Sequence, residues 1–173
     1  VANSYYKHKK IFNTDLPKEN QLETKTKHGH YYHNEVHCPL TENGNFIWIY
    51  VCDTEMRDAW NKRSKFNFDS NDVKGNKLSF TLARFLTSKG LRKDAEGVEA
   101  LSNKEIYSIE HGIPNVNYQN TNGLEARINE TFWEIDLYQS IGDANGHTLT
   151  QRFEYWKTGW HIFMDNFLFG VGT

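Results

Sequence analysis

The apolar residues change their period partway along the chain, from loose alternation to helical spacing. Residues 1–22 are polar and irregular, with Tyr5, Tyr6, Ile11, Phe12 and Leu16 as candidate anchors. Residues 23–37 alternate and are rich in Thr, His and Tyr, which predicts a strand. Thr41-Glu42-Asn43-Gly44-Asn45 is a turn signal, and Asn-Gly is the strongest short hairpin cue. Phe46–Cys52 then reads as a buried strand, so a small antiparallel pair is expected.

Helical patterns follow. Asp53 or Thr54 can cap a helix carrying Met56, Ala59 and Trp60 on one face, before a polar loop over about 61–77. Leu78, Leu82, Phe85 and Leu86 predict a helix over Leu78–Lys89, with Gly90 as its left-handed end and Leu91 as the apolar contact beyond. Ser102-Asn103-Lys104-Glu105 is a capping box, and the helix after it stops at Gly112-Ile113-Pro114. Leu124, Ile128, Phe132, Ile135 and Tyr138 give the inner face of a helix over Leu124–Ser140, and residues 142–146 form a turn. Thr148 or Thr150 caps a last helix running to about Phe169. Leu149, Phe153, Trp156, Trp160, Phe163 and Phe167 form a narrow apolar seam along it. The expected fold is α+β and predominantly α-helical. A small N-terminal antiparallel β-hairpin precedes about five helices, in a single domain over residues 1–173.

Composition narrows the function. The chain has 173 residues, 20 Lys and Arg against 22 Asp and Glu, and a net charge of −2. A general nucleic-acid binder would carry a basic excess. Aromatic residues make up 14%, against the disordered class despite a mean hydropathy of −0.75. The longest apolar run, Phe46–Cys52, is far short of the ~20 residues that span a bilayer. No signal peptide is visible, and the start without Met reads as that of an excised segment. Cys38 and Cys52 could pair across a hairpin, although two cysteines in such a chain are more often free.

Four features are candidates for chemistry. His28, His30, His33 and His37 crowd together beside Cys38, and His and Cys are the usual zinc or copper ligands. A strand puts His28 and His30 on one face and His33 and His37 on the other, so it cannot bring all four to one ion. No zinc spacing accompanies them, and a polar surface strand is the better reading. Arg152 falls in the first turn of the last helix, where the dipole disfavours a cation unless an anion or carboxylate offsets it. Helix-start amides plus a guanidinium fork make a phosphate seat, while a bridge to Glu134 or Asp136 is the structural alternative and the better one on pattern alone. Trp48, Trp60, Trp133, Trp156 and Trp160 could stack on sugars, but most lie on apolar faces and read as core. The basic run Ser88–Asp94 suits a helix C-terminus on structural grounds alone.

The stretch Thr150-Gln151-Arg152-Phe153-Glu154-Tyr155-Trp156-Lys157, followed by Met164–Thr173, resembles the O-antigen ligase/polymerase family. That family has an Arg followed four residues later by Trp, then an Asp-x-Pro-Leu-x-Gly-Val-Gly ending; here Phe167 stands where Pro is usual. Glu42–Tyr50, Thr81–Asp94 and Trp133–Tyr138 look like the long extracytoplasmic loop of Bacteroidetes members. Residues 148–173 would begin the C-terminal motif. The resemblance implies a polytopic inner-membrane glycosyltransferase of polysaccharide or lipopolysaccharide biosynthesis. It would move a glycan from undecaprenyl diphosphate to a hydroxyl of lipid A-core, a polysaccharide or a protein. It implies no cofactor, since the lipid diphosphate is the leaving group. The loop would lie on the periplasmic side, joined to the membrane by flanking helices outside this sequence, and behave as a monomer when excised.

By the same resemblance Arg152 is the catalytic candidate, binding the diphosphate, which reverses the preference for a structural ion pair. Trp156 and Arg127 are its substrate-binding companions. The family's acceptor-activating His follows the Gly-Val-Gly stretch and is not in this sequence, so the segment alone should be inactive. A glycan-binding module with an exposed Trp platform and a small His-rich metal-binding protein are the competing readings.

Overall fold

The computed structural model describes residues 21–38, 40–120, 128, 130–135 and 148–166. The chain clusters into two compact units, Val1–Asn122 and Gly123–Thr173. The fold is α+β and mostly helical, with one two-stranded hairpin.

In the first unit, β1 (Thr41–Glu42) pairs antiparallel with β2 (Asn45–Phe46). Asn43 at φ 51° and Gly44 at φ 84° make the turn, the left-handed pair that an Asn-Gly hairpin needs. Two expected strands are shorter or absent. The 23–37 segment folds into a tight turn: Gly29 takes φ 88°, Gly29 N–H donates to the Thr26 carbonyl at 3.1 Å, and Thr26 N–H donates to the His30 carbonyl at 2.8 Å. Only single bridges, Lys25 to Tyr31 and His33 to Val51, remain of the strand. Phe46–Cys52 keeps the burial of a strand at Ile47, Ile49 and Val51 but not its ladder. Tyr50 sits at φ 58° and its N–H goes to the Asn34 side chain at 2.7 Å, which breaks the extended path.

Four helices follow. They are α1 (Asp53–Arg63), α2 (Leu78–Ser88), α3 (Ala95–Glu99) and α4 (Asn103–Glu110), before a 3₁₀ turn at Val116–Asn120. The N-cap of α1 is Cys52, not Asp53 or Thr54, and no side chain caps it. The short α3 was not expected; Asp94 caps it by accepting from Gly97 N–H at 2.9 Å. The capping box on α4 forms with both of its reciprocal bonds. Helices α2 and α4 end alike. Gly90 (φ 71°) and Gly112 (φ 70°) take the left-handed position, and the next residue donates back, Leu91 to Leu86 at 2.9 Å and Ile113 to Ser108 at 3.0 Å. Trp60, Phe85, Leu78, Leu82, Leu86, Val98 and Ile109 are fully buried between these helices. Trp60 places its indole N–H on the Phe66 carbonyl at 2.9 Å, so its polar atom is satisfied inside the core.

In the second unit, residues 130–135 are helical (α5), and Thr148–Asp165 forms α6. Trp133 is buried, while Ile128, Phe132 and Ile135 are half-buried. Leu124, Tyr138, Arg127, Phe167 and the Gly170–Gly172 ending, all named from the sequence, lie outside the described residues. No helix among the described residues is long and apolar enough to cross a membrane.

Candidate functional site

Arg152 is the fifth residue of α6, just past the first turn in which the sequence pattern places it. Its side chain is exposed, and among the described residues it pairs with no carboxylate. The alternative bridge to Glu134 is therefore not made, and Asp136 lies outside the described residues.

Residues four apart share a helix face, so Arg152, Trp156 and Trp160 form one stripe with Tyr155 and Phe163 beside it. Of the apolar seam expected to pack inward, Trp156 (71%), Trp160 (63%) and Phe163 (49%) are exposed, as is the neighbouring Tyr155 (73%), while the side chains of Leu149, Phe153 and Phe167 lie outside the described residues. A spacing of three and four marks a face but does not say whether that face is covered. The other tryptophans behave as core residues. Trp60 and Trp133 are buried, and Trp48 stacks on Phe80 with centroids 5.9 Å apart. Gly159 opens the middle of the stripe, since a Cβ there would meet nothing within 4 Å. A guanidinium one turn from exposed indole and phenol rings can hold an anion while sugar rings stack on the aromatic faces.

A second constellation lies at the start of α1. Glu55 is almost fully buried and gathers four donors. The Thr26 hydroxyl donates to Oε1 at 2.5 Å and His30 Nδ1 approaches the same oxygen at 2.8 Å. His28 Nδ1 lies 3.4 Å from Oε2, and the Ala95 N–H reaches that oxygen at 3.3 Å. Burial pushes the carboxyl pKa up, but the bonds from Thr26, His30, Ala95 and His28 together outweigh it and hold the group at about 2. An ionised carboxylate only accepts, so the bonded Nδ1 of His30 must carry a proton. His30 Nδ1 or Nε2, Cys52 Sγ and a Glu55 oxygen lie within 4.8 Å of one another.

The expected same-face placement of His28 and His30 holds, although a turn and not a strand produces it. His33 and His37 take no part. Glu55 was missed from sequence. Its signal is the Cys52-x-x-Glu55 spacing across a helix start, which puts residues N-cap and N3 on one end. Cys38 and Cys52 are both free thiols.

A cleft of about 380 Å³ is lined in part by Phe46, Tyr50, Arg92 and Lys93. Its cations are engaged. Arg92 holds Glu23 through two bonds of 2.6 and 2.5 Å, and Lys93 donates to the Phe46 carbonyl at 3.1 Å. Arg152, by contrast, has no carboxylate partner among the described residues. No family model, curated protein or solved structure matches this chain.

Proposed function

We propose that this chain is an extracytoplasmic loop of an O-antigen ligase-like membrane glycosyltransferase. The observation that carries the reading is Arg152, exposed on α6 without a carboxylate partner among the described residues, one turn below the exposed Trp156. The resemblance to the Arg-x-x-x-Trp motif of that family assigns the same two residues. In this reading the Arg152 fork binds the diphosphate of an undecaprenyl-linked glycan on the periplasmic side of the inner membrane. Trp156 stacks on the sugar next to the diphosphate. An acceptor hydroxyl of lipid A-core, polysaccharide or protein attacks the anomeric carbon, and the lipid diphosphate departs with the bonding pair. Charge grows on the diphosphate as it leaves, so a guanidinium fixed there stabilises the transition state more than the ground state. The groups that activate the acceptor belong to the parent protein outside this sequence. Arg127 would assist substrate binding.

The test is Arg152→Ala in the full-length parent. Loss of one such donor should lower glycan transfer about 100- to 1,000-fold. Arg152→Lys keeps the charge without the fork and should recover only part of the loss. Near-normal transfer by Arg152→Ala rejects the assignment.

The exposed Tyr155, Trp156 and Trp160 favour one alternative, a glycan-binding module without catalysis. In that case Trp156→Ala abolishes glycan binding while Arg152→Ala leaves it intact.

A further inference from the structure

We propose that His30, Cys52 and Glu55 bind a zinc ion, with His28 as a neighbouring fourth donor. The inference stands on the first unit alone and does not depend on the glycosyltransferase reading.

The donor chemistry selects the metal class. One imidazole, one thiol and one carboxylate offer nitrogen, sulfur and oxygen, a mixture that zinc accepts. Calcium and magnesium take oxygen ligands, and a thiol argues against both.

The geometry is close to what a tetrahedral ion needs. Zinc–ligand bonds of about 2.0–2.3 Å put the donors roughly 3.3–3.8 Å apart. Here the three donors lie within 4.8 Å of one another, so a contraction of about 1 Å closes the site. Cys52 and Glu55 are buried and fixed by the first turn of α1. His30 has an exposed side chain, on the turn that Gly29 makes possible, and can swing the small distance required. Binding would replace the His30–Glu55 hydrogen bond with two bonds to the ion. His28 Nδ1 is 3.4 Å from the second Glu55 oxygen but outside the three-donor group, so it reaches the fourth position only by moving in, and otherwise a water fills it.

The surroundings also fit. Thr26 Oγ1 and the Ala95 N–H hold the two oxygens of the Glu55 carboxylate, one each. Metal-bound carboxylates are commonly oriented by such outer hydrogen bonds. The Cys52 thiol rests 3.4 Å from the Thr54 hydroxyl, a weak contact that a metal–thiolate bond would replace.

The experiment uses the whole 173-residue chain, reduced, with zinc titrated against a chromophoric chelator and cobalt(II) as an optical probe. We expect one equivalent of zinc bound. We also expect a near-ultraviolet thiolate-to-cobalt band that is lost in Cys52→Ser and kept in Cys38→Ser. His30→Ala should weaken zinc binding at least tenfold. His30 is exposed, so that variant keeps its fold and decides the matter even if Cys52→Ser does not fold. Three results would overturn the proposal: no zinc bound in competition with a micromolar chelator, affinity unchanged in His30→Ala, or a cobalt band that disappears with Cys38→Ser.

Discussion

Arg84 Nε donates to Glu42 Oε2 at 2.9 Å with both side chains out of solvent, 7% and 2% exposed. The pair fastens the hairpin to α2, and Asn115 Nδ2 donates to the other Glu42 oxygen at 2.7 Å, bringing in the segment after α4. A buried carboxylate that loses its cation is left uncompensated, which costs about 3–5 kcal/mol. Arg84→Met should therefore destabilise the chain by about that amount in urea unfolding. The double variant Glu42→Gln/Arg84→Met should lose less than the sum of the two single changes, because each already removes the shared interaction. Strict additivity would show that the ion pair contributes nothing of its own.

Lys93 gives a pH dependence of unusual sign. Burial pulls its pKa down to about 8, against the upward pull of the Asp94 carboxylate. The unfolded chain then holds this proton up to the ordinary lysine range while the folded chain releases it earlier. Stability from this group is lowest where both states are protonated and rises with pH across roughly 8 to 10.5, by at most about 3 kcal/mol. Tyr32 opposes it at higher pH. Burial and its hydrogen bond to Asp94 raise its pKa, so the folded state keeps a proton that the unfolded state loses. Burial raises the Cys38 thiol in the same direction. The contribution of Lys93 is isolated by subtracting the Lys93→Met profile from that of the parent chain. A difference that stays flat between pH 8 and 10 would refute it.

Two glycines predict opposite outcomes for the same substitution. A Cβ at Gly159 meets nothing within 4 Å, and the residue lies inside α6. Gly159→Ala should stabilise that helix by about 1 kcal/mol through propensity alone. A Cβ at Gly97 falls 1.9 Å from the Arg92 carbonyl oxygen, a backbone atom that cannot move aside cheaply. Gly97→Ala should cost about 1–3 kcal/mol and disturb the Asp94 cap on α3. Thermal melts followed by circular dichroism should move in opposite directions. A shared direction contradicts the packing described for these two sites.

The features legible in the sequence are those whose cause is local. The Asn43-Gly44 turn, the Ser102–Glu105 capping box and the Gly90 stop each need only neighbouring residues, and each forms. Helix α3 was not legible, because five residues are too few to display a period. The strand expected over 23–37 fails because its alternation needs a partner ladder. Gly29 instead turns the chain back on itself before a ladder can extend. The Glu55 constellation joins residues 25 to 29 positions apart, a separation that no window of periodicity reports. At Arg152 pattern alone favoured an ion pair with Glu134 or Asp136; the Glu134 pair is not made, and Asp136 lies outside the described residues.

Trp60 and Trp156 separate packing from recognition. Trp60 is fully buried with its N–H satisfied, so Trp60→Ala removes apolar contacts and orphans the Phe66 carbonyl. It should cost about 3–5 kcal/mol. Trp156 is 71% exposed, and an exposed substitution usually changes stability by no more than about 0.5 kcal/mol. Trp156→Ala should therefore melt like the parent chain. If the aromatic stripe of α6 is there to meet a ligand, the same variant should lose glycan binding or glycan transfer despite its unchanged stability. A large drop in melting temperature for Trp156→Ala would instead make the residue part of a packed interface. In that event the loss of transfer on its removal would be evidence about folding, and only the Arg152 variants could speak to chemistry.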